Sequence, residues 1–328
     1  MLVESTRSAM KIKSIDFSSL RLVILLGFLL GSTMVVSRFS IGQFDPLGYV
    51  AFRFILTSLI LLPLTLFRVR SISLRPAAFW FPAIFVGIVG TALPFSAYIS
   101  SLQYQSSGIT SMLLTVTPII TLLFASLFIK EEKITRRRLL GSFIGLGGAV
   151  LLIAMGETGL KLAEPDMRGY LLVTAGITGS AIGIIMLKKY LHKESILVVS
   201  LIRSLVAALL LTVIAWLTDS MDISGVTWVG WLSLGYAAIA GTVATILLQA
   251  QIIAQYGPSR ASQAEYVTPL VASALGIIFM GELVSVSMII GMLMIFLGLH
   301  ILSKKEGYKV DKSKPISTTI EIKEGVKR

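Results

Sequence analysis

Cysteine is missing from all 328 residues, and histidine occurs only as His192 and His300. The first absence excludes disulfides and thiolate metal sites. The second leaves little for metal binding or general-base work, since both His stand next to the ends of apolar segments. Charge is scarce as well, at 14% of residues against about 25% in an average soluble domain. Three catalytic signatures are also absent: a Gly-x-x-x-x-Gly-Lys-Ser/Thr loop, a His-Glu-x-x-His pair and a Gly-x-Ser-x-Gly elbow. The chain therefore reads as a non-enzyme, with no cofactor and no metal expected. Without a nucleotide site, any work it performs must draw on a gradient.

What the chain has in quantity is apolar length. It is 55% hydrophobic with a mean hydropathy of +0.86, too much for one core to hide, so lipid must solvate much of it. Apolar segments run at about 20–37, 46–67, 77–102, 107–128 and 138–156, then at about 169–187, 195–217, 227–254, 259–280 and 284–302. Each is near the ~20 residues that a helix needs to cross ~30 Å of hydrocarbon. The first lacks an Ala-x-Ala cleavage site and is too long for a signal-peptide core, so it is expected to be retained. The expected fold class is an all-α integral membrane protein with ten transmembrane helices. The expected divisions are an N-terminal segment 1–19, one five-helix unit 20–156, an external linker 157–168, a second unit 169–302 and a basic tail 303–328.

The net charge of +12 is a topology signal once its members are located. Ten crossings put both ends on one side, and that side collects 24 of the 29 Lys and Arg, including Arg136-Arg137-Arg138 and Lys188-Lys189. The other side holds Arg38, Lys161 and Arg168. The positive-inside rule then places both termini in the cytoplasm of a bacterial-type inner membrane. These charges call for membrane lipids as partners and for no nucleic acid. Trp80, Trp216, Trp228 and Trp231 fall near segment ends, where an indole sits at headgroup level.

One stretch is written twice. Ser106 to Glu131 passes through Thr117-Pro118, and Pro258 to Glu282 passes through Thr268-Pro269. Both the Pro pair and the Glu pair are 151 residues apart, and Arg53 and Arg203 are 150 apart. Five helices per repeat is an odd number, so the second unit enters the membrane from the opposite side. Inverted repeats of this kind are a recurrent plan of secondary transporters, with the substrate site at the midplane between halves.

These residues resemble the drug/metabolite transporter superfamily, in its EamA-type form of two tandem five-helix units. The resemblance rests on the Arg early in each second helix (Arg53, Arg203) and on the Pro-centred fourth helix closed by Glu (Pro118 to Glu131, Pro269 to Glu282). It rests also on a Gly-rich fifth helix, with Gly141, Gly145 and Gly291. It covers about 20–302 and implies metabolite transport, often export, with a substrate that varies among members.

Glu265 is the foremost candidate site residue. It lies six residues into the ninth segment, so roughly 9 Å deep, where an acid is costly unless it faces water or a partner. Such a residue marks a pathway or a proton relay, which admits proton coupling; the alternative is a structural salt bridge. Its first-half equivalent, Leu114, is apolar. Arg53 and Arg203 recur in both halves, which favours a structural task over binding an anionic substrate. Pro118 and Pro269 are expected to kink their helices at corresponding depths and to shape one central cavity. Ser32, Thr33, Thr91, Ser96, Tyr98, Ser180, Thr242, Thr245, Gln249 and Gln251 form a looser candidate lining, any of which could instead be an interhelical packing residue. The resulting expectation is a secondary transporter working by alternating access on a small-molecule substrate, an amino acid or related compound, in the export direction. An uncoupled facilitator of the same fold and a membrane-embedded enzyme for lipid-linked substrates are the alternatives. Monomer and homodimer both stay open.

Overall fold

A computed structural model describes residues 17–68, 77–128, 135–161 and 164–303. The charges Arg70, Arg75 and Lys133, the Lys130-Glu131-Glu132 close of the first repeated stretch, and both basic ends (Arg7 to Lys13, and from Lys304) lie outside the described residues. Among the described residues there are helices, one isolated bridge between Ile41 and Phe44, and no strand.

The first half contains α1 (Phe17–Arg38), α2 (Pro46–Arg68), α3 (Ala77–Gly87), α4 (Leu93–Ser101), α5 (Ser107–Leu114), α6 (Thr117–Phe128) and α7 (Arg136–Ala154). The second contains α8 (Met167–Tyr190), α9 (Ile196–Leu217), α10 (Trp228–Ala238), α11 (Thr245–Tyr256), α12 (Pro258–Ala261), α13 (Ala264–Met280) and α14 (Val286–Ser303). A π-helical turn, Ile88–Ala92, joins α3 to α4, and another, Ile239–Ala244, joins α10 to α11. Eight helical stretches are long and apolar enough to cross a membrane, and the apolar helices of α13 and α14 are shorter. The ninth segment is shortened because its opening residues fold separately as α12, with Ser262 and Gln263 turning the chain before α13. Large apolar side chains cover the outside, Phe67 and Phe81 among them, as a lipid solvent requires. All four Trp are exposed, at or near helix ends.

Small residues set how the halves meet. In α7 and α14, Gly141 stands against Gly298 and Gly148 against Gly291, so these fifth-segment helices run antiparallel. A Cβ on Gly298 would fall 2.6 Å from the Gly141 carbonyl oxygen. In α2 and α9, Gly48 meets Ser220 while Leu61 clusters with Leu201, again an antiparallel pair. Helices that hold the same place in each half and run antiparallel are the signature of an inverted second half. Partners are exchanged accordingly: α1 packs along α13, and α8 packs along α6 and α4. Gly27 and Gly31 of α1 face Val267 and Thr268 of α13, while Gly183 of α8 lies on Gly90 of the first π turn. These close approaches supply dispersion contact where lipid offers no hydrophobic drive to associate.

The two π turns are a matched pair. Each holds a Gly-Thr step, Gly90-Thr91 and Gly241-Thr242, offset by the same 151 residues. In each, the Thr hydroxyl donates to the carbonyl five residues back, Val86 at 3.1 Å and Ala237 at 3.0 Å. The hydroxyl thereby occupies a backbone acceptor that the widened turn leaves spare.

α1 begins beside the α12–α13 turn, where Val23 and Leu26 cluster with Ala261 and Ala264. The last turn of α14 borders the same turn through Leu299 and Leu302. The chain therefore enters and leaves on one face, called here the terminal face. The linker closes the opposite face. Thr158 accepts from the Ser106 N–H at 2.7 Å, and Gly159 accepts from the Leu283 N–H at 2.9 Å. Gly159 has φ of +68°, and a Cβ there would collide with the Ser106 hydroxyl, so only glycine fits.

Candidate functional site

Both halves contribute to one central cavity of about 280 Å³. α1 supplies Leu30, Thr33 and Met34; α2 supplies Arg53; α4 supplies Phe95 and Tyr98; and the α5–α6 break supplies Ser111, Leu114, Thr115 and Thr117. From the second half come Ser180 and Ile184 of α8, Gly241 of the second π turn, and Glu265 and Thr268 of α13. The lining carries hydroxyls in quantity, two aromatic rings, one guanidinium and one carboxyl group.

The Thr-Pro steps behave differently from one another. Pro118 sits at the start of α6, just after Thr115 and Val116 interrupt the helix, whereas Pro269 lies inside a continuous α13. The break of the second stretch comes earlier, at Ser262 and Gln263, so the two interruptions are not at corresponding depths. A Pro frees the carbonyl four residues back. For Pro118 this is the Leu114 carbonyl, which accepts from the Thr117 hydroxyl at 2.6 Å. In α13 the Thr268 hydroxyl donates instead to the Ala264 carbonyl at 2.9 Å.

Glu265 consequently stands in the first turn of α13, rather than a third of the way through a long helix. A carboxylate there faces the positive end of the helix dipole. The residue also lines a second cavity, of about 170 Å³, with Pro118, Leu122, Arg138, Ser262, Tyr266, Leu299 and Leu302. That cavity lies at the terminal face. Glu265 thus separates the central cavity from the space beyond it.

Arg53 is 2% exposed. Its Nε and Nη2 donate to the Thr242 hydroxyl at 3.0 and 2.9 Å, and the guanidinium lies 5.0 Å from the Phe95 ring centroid. Nη1 is buried with no hydrogen-bond partner. Arg203, its repeat counterpart, is partly buried in α9, and no hydrogen bond or ion pair holds it among the described residues.

Of the other sequence candidates, Thr33, Tyr98 and Ser180 line the cavity, and the Tyr98 and Ser180 hydroxyls meet at 2.8 Å across the two halves. Thr242 acts one step back, through Arg53. Thr91 and Thr245 are buried, with their hydroxyls on helix carbonyls. Ser32 is turned to the Tyr236 hydroxyl at 2.8 Å. Ser96 gives its hydroxyl to the Ala92 carbonyl, and Gln249 and Gln251 are exposed on the outside of α11, away from the cavity. Ser111, Thr115, Thr117, Thr268 and Phe95 line it without having been singled out from the sequence. For Ser111, Thr115, Thr117 and Thr268 the signal available was their place around the Thr-Pro steps; Phe95 had none of that kind.

On the face opposite the terminal one, Glu282 ties the two halves together. Its carboxylate accepts from the Ser107 N–H at 2.8 Å, from the Ser107 hydroxyl at 2.9 Å and from the Gly108 N–H at 3.2 Å. Ser106 caps α5 by accepting the Ile109 N–H, so the first three N–H groups of α5 are all satisfied, two of them by a residue of the other half. Arg38 Nε lies 3.4 Å from Glu282 Oε1, and Nη1 donates to the Leu102 and Gln105 carbonyls. Gly281, left-handed at φ 63°, ends α13 and turns Glu282 back, and Gly276 leaves the space its carboxylate fills.

The fold is that of a multi-pass helical membrane protein, with antiparallel pairs of corresponding helices from its two halves and one cavity that both halves line. The chain belongs to the EamA-like transporter family, whose model matches residues 18–154 and again 167–304. It is 27% identical over 269 residues to the "Uncharacterized inner membrane transporter YedA" of Escherichia coli K12, covering 78% of this chain and 80% of that one. It is 23% identical to the "Uncharacterized transporter YyaM" of Bacillus subtilis, covering 84% of this chain and 91% of that one. It is also 25% identical to a Salmonella typhimurium protein named "Probable amino-acid metabolite efflux pump", covering 60% and 67%. A solved structure titled "Crystal structure of protein" shares the fold, with a TM-score of 0.61 over 86% of this chain and 96% of that one, at 20% identity.

Proposed function

We propose that the protein is a ten-span secondary transporter of a bacterial-type inner membrane, exporting a small metabolite of the amino-acid class by alternating access. One observation carries this reading: a cavity lined by both halves, largely apolar with hydroxyls and an arginine set into it, lies between the Glu282 network that ties the halves on one face and a second cavity at the terminal face, with Glu265 bordering both cavities. A site reached from one side and sealed on the other is what alternating access requires of each state. The central volume suits a metabolite rather than a macromolecule. The efflux-pump name of the Salmonella relative supports the substrate class and direction. Arg53 bridges the halves through the Thr242 hydroxyl, and Glu265 serves as the coupling or cation-binding group.

Two measurements test it. Reporter fusions after Ser303 are expected to report cytoplasm, and fusions in the Glu157–Arg168 linker the outside, because the alternation of apolar segments assigns 24 Lys and Arg to the side of the two ends and three to the other. A cytoplasmic signal from the linker sinks the topology. In proteoliposomes, counterflow of labelled amino acids above protein-free vesicles is expected; no flux of any solute in a broad metabolite panel sinks the function.

A further inference from the structure

We infer that Arg53 anchors a substrate carboxylate, so that the central cavity prefers amino acids to the corresponding amines. The inference deepens the transporter reading and rests on it.

Arg53 has more donors than the protein gives it acceptors. A guanidinium offers five N–H donors and cannot deprotonate at any physiological pH. Arg53 spends two of them on one neutral hydroxyl, that of Thr242, which itself donates to the Ala237 carbonyl. No carboxylate lies within ion-pairing distance of Arg53 among the described residues, and Nη1 has no partner at all. A cation buried to this degree is costly in a bilayer unless something compensates it, and such residues mark substrate paths. The Phe95 ring at 5.0 Å offsets a part, by cation–π attraction. Arg38, by contrast, has Nη1 on the Leu102 and Gln105 carbonyls and Nε beside the Glu282 carboxylate.

The fork geometry of Arg matches a carboxylate or a phosphate. The rest of the cavity decides between them. Arg53 is the one cation among the described residues lining the cavity, so it balances a single carboxylate but not a dianionic phosphate. Thr242 holds the guanidinium in place from the second π turn, and so acts as a positioning residue.

The test pairs each amino acid with its decarboxylated amine: L-phenylalanine with phenethylamine, and L-leucine with isopentylamine. Binding is measured by calorimetry on the full-length protein in lipid nanodiscs, and counterflow in proteoliposomes. Wild-type protein is expected to bind each amino acid about 30-fold or more tightly than its amine, the lower end of what truncating one member of a buried charge pair costs. Arg53→Gln is expected to bring the two within about threefold, by weakening the amino acid alone. Arg53→Lys keeps the charge and should retain part of the preference. Thr242→Val, which leaves the cation and removes its support, should weaken the amino acids more than the amines even where Arg53→Gln does not fold. The inference is overturned if wild-type protein binds acid and amine alike, if it binds neither amino acid, or if the variants lower both members of a pair by one factor. Flux separates the two levels. Amines that cross while amino acids do not would remove the carboxylate anchor and leave the transporter; amino acids that bind with the expected preference but never cross would do the reverse.

Discussion

Proteoliposomes carrying Glu265→Gln are expected to exchange substrate at near the wild-type rate and to lose all acceleration by an imposed pH gradient. Gln keeps the shape and the hydrogen bonding of Glu but neither gains nor loses a proton. The position is suited to coupling because Glu265 borders both the central cavity and the cavity at the terminal face, so a proton taken up in one could leave by the other. No hydrogen bond or ion pair holds its carboxylate among the described residues, which leaves it available to a proton or to a cationic group of the substrate. The effect is large. A gradient of two pH units is worth about 2.7 kcal/mol per proton, a factor of about 100 in accumulation at one-to-one coupling. Gradient-driven accumulation that survives in Glu265→Gln removes the residue from coupling. A substitution that leaves the gradient response intact but weakens amines and amino acids together, by about 2–5 kcal/mol, assigns Glu265 to the substrate's ammonium instead.

The plan of the molecule was legible because lipid imposes it. Apolar runs near 20 residues, an excess of Lys and Arg between alternate runs, and the 151-residue offset are all properties that a bilayer and a duplication write directly into sequence. The antiparallel α7–α14 and α2–α9 pairs follow from five segments per repeat. Local departures were harder to read. The α12–α13 turn at Ser262 and Gln263 has no proline or glycine of its own, and hydropathy alone does not separate a broken helix from a whole one. The π turns did leave a trace, since Gly90-Thr91 and Gly241-Thr242 recur at the repeat offset. The lining of the cavity was only partly legible. A Thr in an apolar segment can face a cavity, as Thr33 does, bond to its own helix, as Thr245 does, or hold a partner, as Thr242 does, and composition is blind to which. Gln249 shows the converse: a polar residue at the right depth on the wrong side of α11.

Glu282→Ala is expected to be the most destabilising single change described here, by about 3–5 kcal/mol, the range for removing one member of a buried charged pair. The sequence marked this Glu only as the close of a repeated stretch. Its position in the structure explains the cost. The substitution would leave the N–H groups of Ser107 and Gly108 without acceptors at a buried helix end, and would leave Arg38 with carbonyls but no counter-charge. It would also open a void beside Gly276, whose missing side chain is matched to the carboxylate. Because α5 and Arg38 belong to one half and Glu282 to the other, the loss falls on the contact that shuts the face away from the termini. Two signs should therefore appear together: a lower unfolding temperature in detergent, and faster modification by a membrane-impermeant thiol reagent of a Cys placed in the central cavity, at Ser111, when the reagent is added from the linker side. The chain has no cysteine of its own, so the background is clean. Glu282→Gln, which retains one acceptor oxygen and most of the volume, should show both signs more weakly. A Glu282→Ala protein with unchanged melting and unchanged access from that side would mean that the network is not what holds this face shut.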